Sequence, residues 1–167
     1  EKSFGLEMVD KMIYNSDLKS KGVYSAFNSY DFSELQSMLT YVCSKSGMES
    51  KIALEEFGKF VFPYLIGKHS YIIERYKDPL ELIAGIESHI HMEVKKLYED
   101  AELPTFSVVE KTKNQLGIIY QSKRGLTYFA IGLMKATLSH FNVKGNVSVD
   151  ESFGGQENNA IKFTLTV

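Results

Sequence analysis

Apolar residues recur at helical spacing through most of the first hundred positions. Leu6, Val9, Met12 and Ile13 mark a first helix within positions 4–14. Positions 17–30 are rich in Ser, Lys, Gly and Asn and read as a loop. Asp31 or Ser33 can cap a helix that runs to about Lys45, with Leu35, Met38, Leu39 and Val42 on one stripe and Gly47 at its end. Ser50 can cap the next helix, with Ile52, Leu54, Phe57, Phe60 and Val61 turned inward. Pro63 is expected to bend or end that helix, because proline removes a donor and clashes with the preceding turn. Asp78 followed by Pro79 is a good helix start. That helix is expected to reach about Tyr98, with Ile83, Ile86, Ile90, Val94 and Leu97 as its apolar stripe.

The texture changes at Pro104. Positions 106–110 and 117–120 read as short strands separated by a Lys-Thr-Lys-Asn turn. Positions 125–141 are strongly apolar at helical period, through Leu126, Phe129, Ala130, Leu133, Met134, Thr137 and Leu138. Positions 147–150 alternate like a strand. Gly154 and Gly155 make a turn, and 160–167 alternate again with Ile161, Phe163, Leu165 and Val167 on one face. Helices first, then an antiparallel sheet with one inserted helix, is an α+β order rather than a parallel α/β one.

Composition narrows the class without adding to the fold. The 167 residues are about one domain by length. Hydrophobic residues are 44% and charged residues 24%, the ordinary range for a globular chain. A net charge of −2 leaves no footprint for nucleic acid. Cys43 is the one cysteine, so an internal disulfide framework and a multi-cysteine metal site are excluded. A lone cysteine is most often a small buried hydrophobe. No apolar run reaches membrane-spanning length, and no signal peptide is evident, so a soluble, cytoplasmic domain is expected. The chain starts at Glu1 with a helical pattern already under way, as a trimmed N-terminus would leave it.

Four histidines could carry chemistry: His69, His89, His91 and His140. No pair has the i, i+4 spacing of a helical metal site. On an α-helix His89 and His91 point roughly 200° apart and cannot share an ion. Both lie at similar angles from the apolar stripe, so periodicity leaves the choice between them open. Either can be a boundary residue with an apolar body and a wet tip, or a single imidazole facing a cofactor. There is no nucleophile elbow, P-loop or dinucleotide fingerprint, and the chain does not read as an enzyme. In an extended Tyr120-Gln-Ser-Lys-Arg124 segment, Tyr120, Ser122 and Arg124 share one face. A phenol, a hydroxyl and a guanidinium together form a clamp suited to a dianion. Spacing alone favours an ordinary solvated strand end.

Together these residues resemble the haem nitric oxide/oxygen-binding (H-NOX) family, the sensor domain of bacterial gas sensors and of soluble guanylate cyclase. The resemblance rests on the run from His91 through Lys95-Lys96-Leu97-Tyr98 to Leu103-Pro104, followed by Tyr-x-Ser-x-Arg at Tyr120, Ser122 and Arg124. Phe4-Gly5, Phe57-Gly58-Lys59-Phe60, Gly132-Leu133 and His140-Phe141 also fit, so it covers essentially the whole chain. It implies the H-NOX fold, one haem-binding domain over 1–167, and haem b as cofactor. It makes His91 the iron ligand and His89 a bystander. It gives Tyr120, Ser122 and Arg124 to the haem propionates, and Pro104 to the haem face, where it distorts the macrocycle.

The resemblance also carries expectations about the gas. Oxygen-holding members use a distal tyrosine donor, and the matching position here is Phe129, with Tyr128 beside it and Leu133 one turn on. Val61 stands where some oxygen binders place a polar residue. The implied ligand is nitric oxide, with carbon monoxide also bound, and the implied signal is release of His91 with relaxation of the haem. The implied partner is a sensor histidine kinase or a cyclic-di-GMP enzyme, with no nucleic acid and no membrane involved. A short distal-pocket segment of the family is missing before Phe4, and no structural zinc is expected. The competing readings are an oxygen sensor and a haemless module of the same fold.

Overall fold

The computed structural model describes residues 2–25, 28–68, 70–154 and 160–167, the side chain of Lys68 excepted. Backbone contacts divide the chain into two compact units, 1–53 and 54–167.

The first unit holds α1 (Gly5–Asn15) and α2 (Phe32–Ser46). Asp31 is the cap of α2: its carboxylate accepts from the Ser33 N–H at 3.0 Å. Gly47 closes α2 in the left-handed conformation, at φ 71°. The intervening loop is tied down by Glu34, which is buried. Its carboxylate accepts from the Ser20 N–H at 2.9 Å, the Ser20 hydroxyl at 2.6 Å and the Tyr24 phenol at 2.7 Å. Cys43 is half-buried and its thiol is pushed up by burial.

α3 (Ser50–Lys68) departs from the sequence expectation twice. Pro63 neither ends nor caps it, since the helix continues to Lys68. The ring lies on an exposed position, where water can serve the carbonyl that loses its donor. Ile52, Phe57 and Phe60, expected inward, are 52%, 41% and 44% exposed. From residue 54 onward the face that packs is a different one: Glu55, Gly58 and Phe62.

The second unit continues with α4 (Ser70–Ile73) and α5 (Pro79–Ala84), which starts on an Asp78 cap. Asp78 accepts from the Leu80 and Glu81 N–H groups at 2.8 and 3.0 Å. The single helix expected to Tyr98 is three pieces. α5 stops at Ala84, a π-helix spans Ile86–Ile90, and α6 is His91–Leu97. The break falls at Gly85, which is buried and has the Tyr76 ring against it. Leu97, expected on the apolar stripe, is exposed.

The sheet is antiparallel with order β1-β2-β4-β3, from β1 (Thr105–Lys111), β2 (Gln115–Gln121), β3 (Asn146–Asp150) and β4 (Ala160–Thr166). α7 (Thr127–His140) connects β2 to β3. Alternation sends Leu116, Ile118 and Tyr120 of β2 to the covered face. β4 pairs Leu165 with Leu116 and Phe163 with Ile118. Leu80, Leu82 and Ile83 of α5 and Ala130, Ile131, Met134 and Leu138 of α7 complete this core. Elements and their order are those of the expected α+β arrangement. The turn at Gly154 is seen, whereas Gly155 lies outside the described residues.

Candidate functional site

The π-helix decides which histidine faces in. Its wider i→i+5 ladder moves each residue off the α-helical wheel, so that wheel places neither histidine correctly. His91, the first residue of α6, turns inward, and its side chain is 12% exposed. His89 is exposed and hydrogen-bonds the Tyr76 phenol through Nδ1. His140 is exposed, with ring contacts to Phe62 and Phe141. His69 lies outside the described residues.

Around His91 the geometry is specific. Its Nδ1 lies 3.2 Å from Glu87 Oε2. That same oxygen accepts from the Phe106 N–H at 3.0 Å. The Phe106 ring meets the His91 ring edge-on at 5.5 Å and the Tyr120 ring at 5.2 Å. Burial lowers the His91 pKa, and the Glu87 carboxylate opposes that shift. A carboxylate acceptor at Nδ1 calls for the proton on that nitrogen, which leaves the lone pair on Nε2. A neutral imidazole with a free Nε2 lone pair is what a metal ligand needs.

Tyr120, Ser122 and Arg124 come together by a different route from the one expected. They do not share a strand face, because β2 ends at Gln121 and the chain turns before Gly125. Ser122 stands between the other two. Its hydroxyl accepts from the Arg124 N–H at 3.2 Å. Burial pushes the Tyr120 phenol up, keeping it a neutral donor, and the neighbouring Ser122 hydroxyl offsets part of the shift. Arg124 meets the Glu102 carboxylate at 3.2 Å in a half-exposed ion pair. Exposed pairs of this kind contribute about 0–1 kcal/mol, so another carboxylate can replace Glu102 at little cost.

Pro104 immediately precedes β1. Because Thr105 pairs with Gln121, Pro104 sits across from Ser122 at the same end of the ribbon. Pro104, Ser122 and Arg124, with Lys95 and Lys123, wall a cleft of about 510 Å³. A rim with three cations and a hydroxyl, beside an apolar proline, fits a flat macrocycle carrying two carboxylates. The donor set at His91 and this rim therefore fit haem on their own chemistry.

The remaining expected site residues form a second group on α3 and α7. The Phe57 and Phe129 rings are 5.4 Å apart. Val61 lies one turn beyond Phe57 and Leu133 one turn beyond Phe129, both half-buried. None of these four side chains can donate a hydrogen bond. Tyr128 hydrogen-bonds Glu151 through its hydroxyl. Among the described residues no hydrogen bond or ring contact joins this group to His91.

Two residues escaped sequence reasoning, Glu87 and Glu102, and the glycine pair Gly58 and Gly132 entered it only through the family resemblance, with no role assigned. Glu87 stands four positions before His91, an i, i+4 signal that was available. Glu102 had no signal, since only the turn at 122–124 brings Arg124 to it. Gly58 and Gly132 mark where α3 crosses α7: a Cβ on Gly58 would press into the Phe129 carbonyl oxygen and lie 3.0 Å from Gly132 Cα and Leu133 N.

Comparison with known proteins identifies the family. The profile of the family described as haem-NO-binding matches residues 1–149. The H-NOX protein of K. algicida, solved in the unliganded Fe(II) state, is 39% identical over 99% of this chain and 89% of that one, with a TM-score of 0.93. An H-NOX protein of S. oneidensis in the Fe(II)NO state is 27% identical over 98% and 90%, with a TM-score of 0.88. The H-NOX of Shewanella woodyi, bound to IWP-051 in the Fe(II)CO state, is 32% identical over 99% and 87%, with a TM-score of 0.83. Comparison with curated protein sequences returns no match. A profile that spans most of the chain settles the family: this chain belongs to the haem-NO-binding, or H-NOX, proteins.

Proposed function

We propose that this chain is a haem-based gas sensor selective for nitric oxide, one haem b-binding domain that signals to a separate partner through release of His91 and relaxation of the haem. The observation that carries this reading is one constellation at the paired ends of β1 and β2. His91 packs on Phe106, Phe106 packs on Tyr120, and Pro104 stands across from the Ser122–Arg124 turn. Haem, when bound, would supply an iron able to take an imidazole and a diatomic gas as ligands. His91 Nε2 is the ligand. Tyr120, Ser122 and Arg124 hold the propionates, with Arg124 exchanging Glu102 for them. Pro104 presses on the macrocycle.

Phe129, Leu133 and Val61 line the gas side in this reading. Their lack of a donor supports nitric oxide and carbon monoxide over oxygen, which needs a hydrogen bond to its partly negative outer atom. The relatives from S. oneidensis and Shewanella woodyi were solved with those two ligands. The output is carried by α6 and the π-helix, since His91 is the residue at which one becomes the other. A π-helical turn is a less favourable ladder than an α-helix, so freeing His91 gives this segment another register to adopt. The chain itself is not read as an enzyme. Its partner is a sensor histidine kinase or a cyclic-di-GMP enzyme, and its location the cytoplasm. No helix among the described residues is long and apolar enough to cross a membrane.

The test is an absorption spectrum of the reduced protein, repeated in air and under nitric oxide. The expected result is a five-coordinate ferrous band that nitric oxide shifts and air does not, apart from slow oxidation. A stable oxygen complex moves the function to oxygen sensing, and failure to take up haem moves it to a haemless module. His91→Gly is expected to abolish protein-ligated haem. An unchanged ferrous spectrum in that variant would sink the ligand assignment.

A further inference from the structure

Glu87 does more than pair with a neighbour on its own helix. A helical i, i+4 pair at a surface is worth about 0.2–0.5 kcal/mol and contacts nothing else. Here the partner, His91, is nearly buried, and Glu87 Oε2 also takes a backbone N–H from a strand nineteen residues away. The Phe106 ring also meets the imidazole edge-on. The carboxylate, the imidazole and the first covered residue of β1 form a closed triangle. The residue before that strand is Pro104.

We propose that Glu87 is the positioning residue for His91: through Nδ1 it sets the tautomer and angle that present Nε2 to the haem iron, and through the Phe106 N–H it ties that ligand to the strand bearing Pro104. This rests on the reading of His91 as the haem ligand. The chemistry is general. A metal-bound imidazole usually donates its other N–H to a carboxylate or carbonyl, which fixes the ring and makes it a stronger donor. Glu87 therefore strengthens the bond from His91 to iron and sets how readily His91 is released. The second hydrogen bond gives the carboxylate its own anchor, so a movement of His91 is felt at β1.

Glu87→Gln and Glu87→Ala test this in the full-length chain loaded with haem. The iron–histidine stretching band of the reduced protein is read by resonance Raman scattering. It is expected to fall in the order wild type, Glu87→Gln, Glu87→Ala. Haem transfer to an apo-globin acceptor should quicken, by about the 10–100-fold that loss of such an outer partner costs in metal affinity. Amide exchange at Phe106 should quicken in Glu87→Ala and stay slow in Glu87→Gln, whose side-chain carbonyl still accepts. Glu87→Gln is isosteric, so it keeps the test valid if Glu87→Ala fails to fold. A merely structural role would lower stability and leave the stretching band in place. A wild-type band that vanishes in His91→Gly but is unmoved in both Glu87 variants overturns the role of Glu87 alone. A wild type with no iron–histidine band overturns the haem reading and this proposal with it.

Discussion

At the scale of single residues, hydrogen-bond partners decide roles that residue identity leaves open. His89 and His91 are the same side chain two positions apart. One is exposed beside Tyr76 and the other is held at Nδ1 by Glu87 against Phe106. In the proposed function, the gas side turns on a single oxygen atom. Tyr128 has a hydroxyl, but Glu151 engages it, while Phe129 faces Phe57 and has none. Under the proposed function, Phe129→Tyr is therefore expected to bind oxygen more tightly than the parent. One buried hydrogen bond to a charged group contributes about 1.5–3 kcal/mol, roughly a 10–100-fold gain in oxygen affinity. Oxygen titration of the reduced variant checks this, and unchanged behaviour in air would place Phe129 outside the gas pocket.

At the scale of elements, the two departures have local causes. Pro63 is tolerated because it lies on an exposed position of α3, not because its sequence neighbours differ from those of a helix breaker. The 79–97 segment is broken where Gly85 and the Tyr76 ring sit together, and Tyr76 is nine positions away in the loop before α5. A hydrophobic stripe read at a constant 100° per residue carries no trace of either. The crossing of α3 over α7 is the most constrained element contact. A methyl on Gly58 would run into the Phe129 carbonyl oxygen and lie 3.0 Å from Gly132 Cα, and backbone cannot rotate out of the way as a side chain can. Gly58→Ala should thus cost about 1–3 kcal/mol, the usual penalty of overpacking. Thermal unfolding measures it. A melting temperature equal to that of the parent would show that the two helices separate freely.

At the scale of the whole molecule, the core and the sheet order carry stability. Phe163 and Leu165 of β4 lie between β2 and β3 and are fully covered. Phe163 also touches the Tyr120 ring, which links the core to the candidate haem site. Phe163→Ala is expected to destabilise by about 3–5 kcal/mol, the range for a large aromatic lost from a packed interior. It should also loosen Tyr120, so haem should dissociate faster from this variant. Denaturant unfolding and haem-transfer rates read the two effects separately. A large loss of stability with an unchanged haem-transfer rate would uncouple core from site.

Much of this was legible in the order of residues alone. The α+β class, the four strands, the cap at Asp31, the start at Asp78-Pro79 and the family all follow from local pattern or short motif, because capping, alternation and turn chemistry act over a few residues. The family motif also points to His91, Pro104, Tyr120, Ser122 and Arg124 as the candidate site. What linear pattern could not hold is where distant segments meet. The order β1-β2-β4-β3, the Gly58–Gly132 crossing and the Arg124–Glu102 pair each join residues far apart in the chain. The inward turn of His91 belongs with them, although Glu87 is only one helical turn away. Its direction depends on a π-helical ladder and on a strand that arrives fifteen residues later, and both are outcomes of packing rather than of local propensity.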